Sequence, residues 1–123
     1  LFDRYDLKEV RKAAESHWLS ILSALSGGLF DQAIEKVDKN THVPCPFHQR
    51  DGKTKRPDFR MSSYVNNDGD SSISAICSCG QWADGFSLLM EANNWSFREC
   101  LEEIAVFLGV KLGVFIGFGA LKF

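Results

Sequence analysis

The sequence predicts an α+β fold in which a small antiparallel sheet is flanked by N-terminal and C-terminal helices. Three observations lead to this prediction. Apolar residues recur at three- and four-residue spacing near both ends of the chain, as they do along one face of a helix. Between residues 44 and 80 this period gives way to prolines, glycines and short alternating stretches, which are typical of strands and turns. Two close pairs drawn from cysteine and histidine lie at the ends of the same segment.

Length and composition indicate a single globular domain. The chain has 123 residues, of which 45% are hydrophobic and 24% charged, and these values exclude a disordered or fibrous protein. No apolar run reaches the roughly 18 residues that span a bilayer, and the N-terminus lacks a signal-peptide pattern. We therefore expect a cytoplasmic protein without membrane contact. Because the chain begins with Leu1, we also expect it to be a piece of a longer protein.

Helices are predicted for the N-terminal segment, residues 1–40. Asp6 and Glu9 have the spacing of a capping box, and apolar residues then follow at helical spacing over residues 7–25. The glycine pair at 27–28 is expected to end this helix. A shorter helix should follow, with four apolar residues facing inward: Phe30, Ala33, Ile34 and Val37.

Two strands are predicted within residues 41–83. They cover residues 59–65 and 72–77, and the polar cluster at 66–70 joins them as the turn of a hairpin.

Two further helices are predicted within residues 84–109, packed on the sheet. Asp84 is expected to cap the first, and Ser96 with Glu99 forms a capping box for the second. Gly109 is its expected C-cap. For residues 110–123, in which glycines alternate with apolar residues, three alternatives stay open: a further strand, a linker to a catalytic domain, or a remnant of an expression vector.

The cysteine and histidine pairs have the spacing of a metal site. Cys45 and His48 form a C-x-x-H pair, Cys77 and Cys79 form a C-x-C pair, and 28 residues separate the two pairs. Structural zinc takes four such ligands in a tetrahedron. We therefore predict one structural Zn²⁺ per chain in a zinc-ribbon-like sheet. Four protein ligands leave no position for an activated water, so this metal is expected to stabilise the fold and not to catalyse.

Alternatives to this ligand set stay open. The cysteines could be small buried core residues, which is the better interpretation of Cys100 because it lies in an apolar helical pattern. If one residue of the C-x-C pair is not a ligand, three residues are substitutes: His42, Asp70 and Cys100. Disulfides are disfavoured because no secretion signal is present.

A basic segment follows His48. Residues 49–60 contain five basic and two acidic residues, a local net charge of +3 in a chain whose formal net charge is −2. The basic residues are Arg50, Lys53, Lys55, Arg56 and Arg60. Such a run either lies in a solvated loop or binds phosphates, and its location in the fold has to decide between these alternatives.

Three stretches of the chain carry a resemblance to a known family. The first is 17–22, with its Trp and Ile-Leu pair; the second is 43–48, followed by Gly-Lys and by 58–60; the third is Cys-Gly at 79–80, followed by 84–86, 88–90 and Trp-x-Phe at 95–97. Together they cover roughly residues 14–110. They resemble the N-terminal zinc-binding domain of bacterial DNA primases from conjugative plasmids and satellite phages.

The resemblance implies a role in DNA replication of a plasmid, phage or mobile element. The domain would recognise a short initiation sequence on single-stranded template DNA, and a separate catalytic primase domain, in cis or in trans, would synthesise the RNA primer. A replicative helicase is a further expected partner. The basic residues named above would then neutralise phosphates, and three aromatic residues would stack on bases: Phe59, Tyr64 and Trp82. For Trp82, a place in the core is an equal alternative.

The chain departs from that family at two places. The family has a C-x-x-C pair where this chain has Cys77 and Cys79, and the segment after His48 is longer and more basic. The first departure bears on the fourth metal ligand, and the second bears on template preference.

Catalysis by this chain alone is not predicted, although its parent protein is expected to be a primase, a nucleotidyltransferase. The D-x-D pair of Asp68 and Asp70 lies in a predicted turn without a partner Glu, and no H-x-E of a zinc deaminase precedes the cysteines. The main rival belongs to another class: a zinc-stabilised interaction module that docks a helicase or another replication factor.

Overall fold

The computed structural model describes residues 6–48, 57–65, 67, 69 and 71–110, and this part of the chain has an α+β fold, as predicted. The N-terminal helices are α1 (Leu7–Ala14), α2 (Trp18–Leu25) and α3 (Asp31–Glu35). The strands β1 (Arg60–Val65), β2 (Ser71–Cys77) and β3 (Gly80–Trp82) follow, and then the helices α4 (Gly85–Asn93) and α5 (Phe97–Leu108).

The single helix predicted over residues 7–25 is wrong, because the chain breaks between α1 and α2. Ser16 has a φ of 74°, in the left-handed region that costs about 1–2 kcal/mol for a residue with a side chain. Hydrogen bonds to the first residue of β2 compensate for this cost: the Ser16 N–H donates to Ser71 Oγ at 3.2 Å, and the Ser71 N–H donates to the Glu15 carboxylate at 3.3 Å. The break therefore attaches the N-terminal helices to the sheet.

The predicted hairpin is confirmed within one residue at its ends. The sheet is antiparallel with the order β1-β2-β3, and Met61, Ala75 and Trp82 lie side by side across it. The third strand was not predicted. An isolated bridge between Val43 and Phe59 extends the pairing to the segment that precedes Cys45.

The two faces of the sheet differ in burial. The covered face carries Met61, Ile73, Ala75, Cys77 and Trp82, each less than 10% exposed. The opposite face is open and carries Arg60, Ser62, Ser74, Ile76 and Gln81, which line a shallow groove of about 430 Å³. We call this groove the open sheet face.

The caps predicted for the C-terminal helices are confirmed. The Asp84 carboxylate accepts the Ser87 N–H at 2.9 Å, and Ser96 and Glu99 form both bonds of a capping box. Gly109 ends α5 with a φ of 73°. Helix α5 packs against α1, α2 and α4. No helix in the described ranges has the length and apolar character needed to cross a membrane.

The packing of α2 against α4 depends on a glycine. Trp18, the first residue of α2, is 5% exposed, and its ring packs edge-to-face on Phe86 at a centroid distance of 5.3 Å. A Cβ at Gly85 would lie under 3.0 Å from three atoms of this ring. Glycine at this position therefore allows α4 to begin directly against the indole.

Candidate metal centre

The first pair of candidate ligands lies in a turn that is packed into the core. The Phe47 N–H donates to Cys45 Sγ at 3.4 Å, and Cys45 is fully buried. The Phe47 ring contacts Trp82 and Phe59 at centroid distances of 5.0 and 6.3 Å. These ring contacts hold the turn between Cys45 and His48 against the covered face of the sheet.

The second pair lies on the hairpin turn between β2 and β3. Cys77 is the last residue of β2 and pairs with Gly80, the first residue of β3, so Ser78 and Cys79 form a two-residue turn. This tight turn explains how a C-x-C pair can replace the C-x-x-C spacing: Cys77 projects from the strand, while Cys79 reaches the same point from the turn.

The structure brings the four candidate ligands together. One ligand atom from each of Cys45, His48, Cys77 and Cys79 lies within 4.8 Å of the other three. Cys45 Sγ lies 3.7 Å from Cys79 Sγ, too far for a disulfide bond, and Cys77 Sγ lies 3.6 Å from His48 Nδ1.

These distances fit a tetrahedral ion. With metal–sulfur bonds of about 2.3 Å and metal–nitrogen bonds of about 2.0–2.1 Å, tetrahedral angles place two sulfurs about 3.8 Å apart and a sulfur and a nitrogen about 3.6 Å apart. The four residues can therefore hold a metal ion without rearrangement of the backbone. The donor set of three sulfurs and one nitrogen matches that of closed structural sites.

Burial favours the protonated form of two of the thiols, Cys77 and Cys79. Desolvation raises the pKa of Cys77 to about 12, although a hydrogen bond from the Cys79 N–H opposes this shift. Desolvation also raises the pKa of Cys79. Since the thiolate is the ligand, metal binding must displace these protons, and metal affinity is expected to fall as the pH is lowered.

A carboxylate to which the sequence assigns no role at the site lies beside the four candidate ligands. Asp58 Oδ1 is 3.1 Å from Cys77 Sγ, and Asp58 Oδ2 accepts the Ser78 N–H at 3.3 Å. Hydrogen bonds from Ser78 and Cys77 lower the pKa of this carboxyl. In the sequence, Asp58 belongs to a stretch that carries the family resemblance, 58–60, but its spacing from the cysteines does not indicate a contact with them.

The substitute ligands do not join the cluster. His42 is exposed and lies outside the group of four. Cys100 is fully buried in α5, where its thiol donates to the Phe86 carbonyl at 3.8 Å and burial raises its pKa to about 12. Asp70 lies outside the described residues.

Two of the three aromatic residues assigned to base stacking lie in the core, which corrects that assignment. Phe59 is fully buried, and Trp82 is 6% exposed with its indole N–H donating to Glu91 at 2.9 Å. Their rings pack on each other and on Phe47. Strand alternation places both rings on the covered face, where their packing leaves little ring surface for a nucleic acid to contact.

Tyr64 and Arg60 remain at the surface of the sheet. Tyr64 is 36% exposed, and its hydroxyl donates to the Ala83 carbonyl at 2.7 Å across the sheet. Arg60 Nη1 donates to the Asn40 side chain at 2.9 Å, while Arg60 Nε has no hydrogen-bond partner among the described residues. Four of the basic residues lie outside the described residues: Arg50, Lys53, Lys55 and Arg56.

Comparisons of the chain with protein families, with curated proteins and with solved structures find no match. The fold and the site define a small α+β domain with a cluster of three cysteines and one histidine that could hold a metal ion.

Substitution of single ligands is expected to abolish stable metal binding. The purified wild-type chain should hold about one equivalent of metal, whereas Cys77→Ser and Cys79→Ser should each hold much less after dialysis, because a hydroxyl is a poor replacement for a thiolate. Metal content measured by mass spectrometry tests this expectation. Cys100→Ser is the matched control and should retain its metal, and an equal loss in all three variants would contradict the ligand assignment.

Proposed function

We propose that this chain is a structural zinc domain that binds single-stranded DNA, as the template-recognising domain of a DNA primase does. The observation that carries the proposal is the position of the metal centre. Its ligands join the sheet, through Cys77, to His48, which immediately precedes the most basic segment of the chain. A metal ion bound by four such ligands would make this part of the sheet rigid. Zinc is the proposed metal because three thiolates and an imidazole in a tetrahedron are its preferred structural ligands.

The basic segment begins and ends at the metal centre. His48 is a candidate ligand, and Asp58, two residues after the basic run at 50–56, contacts Cys77. The four basic residues 50, 53, 55 and 56 therefore belong to a segment whose ends the proposed metal site would hold in place. A cluster of positive charge this close in the sequence to a proposed rigid site is suited to phosphate binding.

The open sheet face supplies the second part of the proposed surface. Arg60 lies on β1 just after the basic run, and its side chain lines the groove. The small polar residues Ser62 and Ser74 leave room for a single strand of DNA to lie across the sheet. With Tyr64 as the one assigned aromatic residue at the surface, phosphate contacts rather than stacking would supply most of the affinity, so binding should be micromolar and sensitive to salt.

Charge reversal in the basic segment tests the proposal. Lys55→Glu with Arg56→Glu is expected to weaken binding to labelled single-stranded oligonucleotides at least tenfold at low salt, and to flatten the dependence of affinity on salt concentration. Fluorescence anisotropy at several salt concentrations measures both quantities.

A matched control is available at the opposite end of the sheet. Lys8 and Lys12 form an exposed basic pair on α1, whose C-terminal end is attached to Ser71, the first residue of β2, whereas the candidate ligand Cys77 is its last residue. Lys8→Glu with Lys12→Glu carries the same charge change and should affect binding much less. Equal losses in the two double variants would show that only net charge matters, and an absence of binding by the wild type at low salt would refute the proposal.

The interaction-module alternative has one observation in its favour. Val106 and Phe107 are 67% and 44% exposed on α5, next to Glu102 and Glu103. An apolar pair with acidic neighbours suits a basic protein partner better than a nucleic acid. Wild-type protein that binds no oligonucleotide would favour this alternative.

A further inference from the structure

We propose that Asp58 is a positioning residue that fixes the Cys77 and Cys79 pair of the proposed metal centre relative to the Cys45 and His48 pair. This inference rests on the proposed metal site and assigns a role to a residue that is not itself among the four ligands. Its basis is that the side chain of Asp58 contacts the turn that carries Cys77 and Cys79, while the backbone of the next residue, Phe59, is hydrogen-bonded to the segment that leads to Cys45.

The side chain of Asp58 holds the ligand turn between β2 and β3. Its Oδ2 accepts the N–H of Ser78, the residue between the two cysteine ligands, at 3.3 Å. Its Oδ1 lies 3.1 Å from Cys77 Sγ. A carboxylate that accepts the backbone N–H of Ser78, the first residue of the two-residue turn, limits the rotation of that turn. It therefore limits the directions in which Cys77 and Cys79 point.

The backbone next to Asp58 is bonded to the first half of the site. The Val43 N–H donates to the Phe59 carbonyl at 2.9 Å, and the Phe59 N–H donates to the Val43 carbonyl at 3.0 Å. Val43 precedes the ligand Cys45 by two residues. A displacement of Asp58 would therefore shift the segment from Val43 to Cys45 relative to the turn that carries Cys77 and Cys79.

Charge alone does not explain a carboxylate at this position. Three thiolates around a divalent cation already carry a net charge of −1, and a further anion beside them is electrostatically unfavourable. When the metal is bound, Cys77 has lost its proton and its contact with Asp58 Oδ1 is no longer a hydrogen bond, whereas the bond from the Ser78 N–H persists. The contribution of Asp58 to the loaded site is therefore the position of the turn.

This assignment predicts different results for two substitutions. Asp58→Ala removes the acceptor and is expected to lower zinc affinity about 10- to 100-fold, the range found for outer-shell partners of metal ligands. Asp58→Asn keeps an oxygen that accepts the Ser78 N–H and adds an N–H donor for the Cys77 thiolate, so its affinity should stay close to that of the wild type. Zinc affinity is measured by competition with a chelator on the full chain.

Asp38 provides the matched control. Its carboxylate accepts the Ser63 N–H at 2.9 Å and also the Ser63 hydroxyl, so it too joins a side chain to a strand, but at a position that contains no candidate ligand. Asp38→Ala should leave zinc affinity unchanged. Circular dichroism at saturating zinc establishes that each variant is folded, and the absorption of the cobalt-loaded forms reports the ligand geometry.

The possible outcomes separate the inference from the proposal on which it rests. Wild-type affinity in Asp58→Ala, or equal losses in Asp58→Ala and Asp38→Ala, would overturn the positioning role while the metal site stands. A loss in Asp58→Asn as large as that in Asp58→Ala would also overturn it, since the carboxylate charge would then be required. A wild-type chain that binds neither zinc nor cobalt would overturn both.

Discussion

Removal of the metal is expected to unfold the sheet of this protein and to lower its melting temperature by about 20 °C or more. A structural zinc site contributes on the order of 10 kcal/mol at neutral pH, which is comparable to the total stability of a small domain. For a domain of this size, a loss of even about 5 kcal/mol corresponds to a shift of that magnitude.

The reason lies in the residues that surround the site. Cys45 is fully buried, and the turn that follows it carries Phe47, whose ring packs on Phe59 and Trp82. Loss of the ion would remove one of the attachments between this turn and the sheet, and so would weaken the packing of Phe47 on the other two rings. The sheet has three strands, and β3 contains only three residues, so strand pairing alone offers little stability.

Thermal unfolding followed by tryptophan fluorescence, with and without a chelator, measures this effect. Trp18, Trp82 and Trp95 all contribute to the fluorescence signal, which therefore follows the sheet and the helices together, and the far-ultraviolet circular dichroism signal reports on the helices. Added Zn²⁺ should restore the melting temperature, and Mg²⁺ should not, because Mg²⁺ prefers oxygen ligands. A chelated chain that melts at the same temperature as the untreated one would show that the ion does not maintain the fold.

The second large effect is expected from Gly85→Ala, which should destabilise the protein by about 3 kcal/mol or more. A methyl group at this position would lie under 3.0 Å from three atoms of the Trp18 ring. That ring is 5% exposed and packs against Phe86, so it cannot move without displacing other core residues. Overpacking of this kind typically costs about 1–3 kcal/mol, and the contact with a rigid ring places this case at the upper end of the range.

Urea denaturation of the metal-loaded protein measures the loss. Gly27→Ala is a useful comparison, because its φ is 66° and a Cβ there meets nothing within 4 Å, so it should cost only the strain of a left-handed residue, about 1–2 kcal/mol. Combination of Gly85→Ala with Trp18→Leu should recover part of the loss, since the smaller side chain leaves room for the methyl group. Additive losses in the double variant would disprove the steric explanation.

The local signals in the sequence were sufficient for the ends of the C-terminal helices and for the hairpin. Capping depends on residues within a few positions of a helix end, so Asp84, Ser96 and Gly109 could be assigned without knowledge of the fold. The alternation over β1 and β2 likewise depends only on neighbouring residues.

Contacts distant in the sequence decided the remaining features. The break at Ser16 depends on Ser71, 55 residues later, and neither residue is a helix breaker by itself. Strand β3 is too short to give a periodic signal. The burial of Phe59 and Trp82 follows from which face of the sheet the helices cover, and composition does not contain that information.

By itself, therefore, the sequence determined the fold class, the caps of the C-terminal helices, the hairpin and the four residues that could hold a metal, because each depends on local spacing or on ligand chemistry. Only the tertiary structure decided that these four side chains meet within 4.8 Å, that two of the three aromatic residues assigned to base stacking belong to the core, and that Asp58 contacts the turn that carries Cys77 and Cys79. These features depend on the packing of segments that are far apart in the chain, and packing is a property of the whole fold.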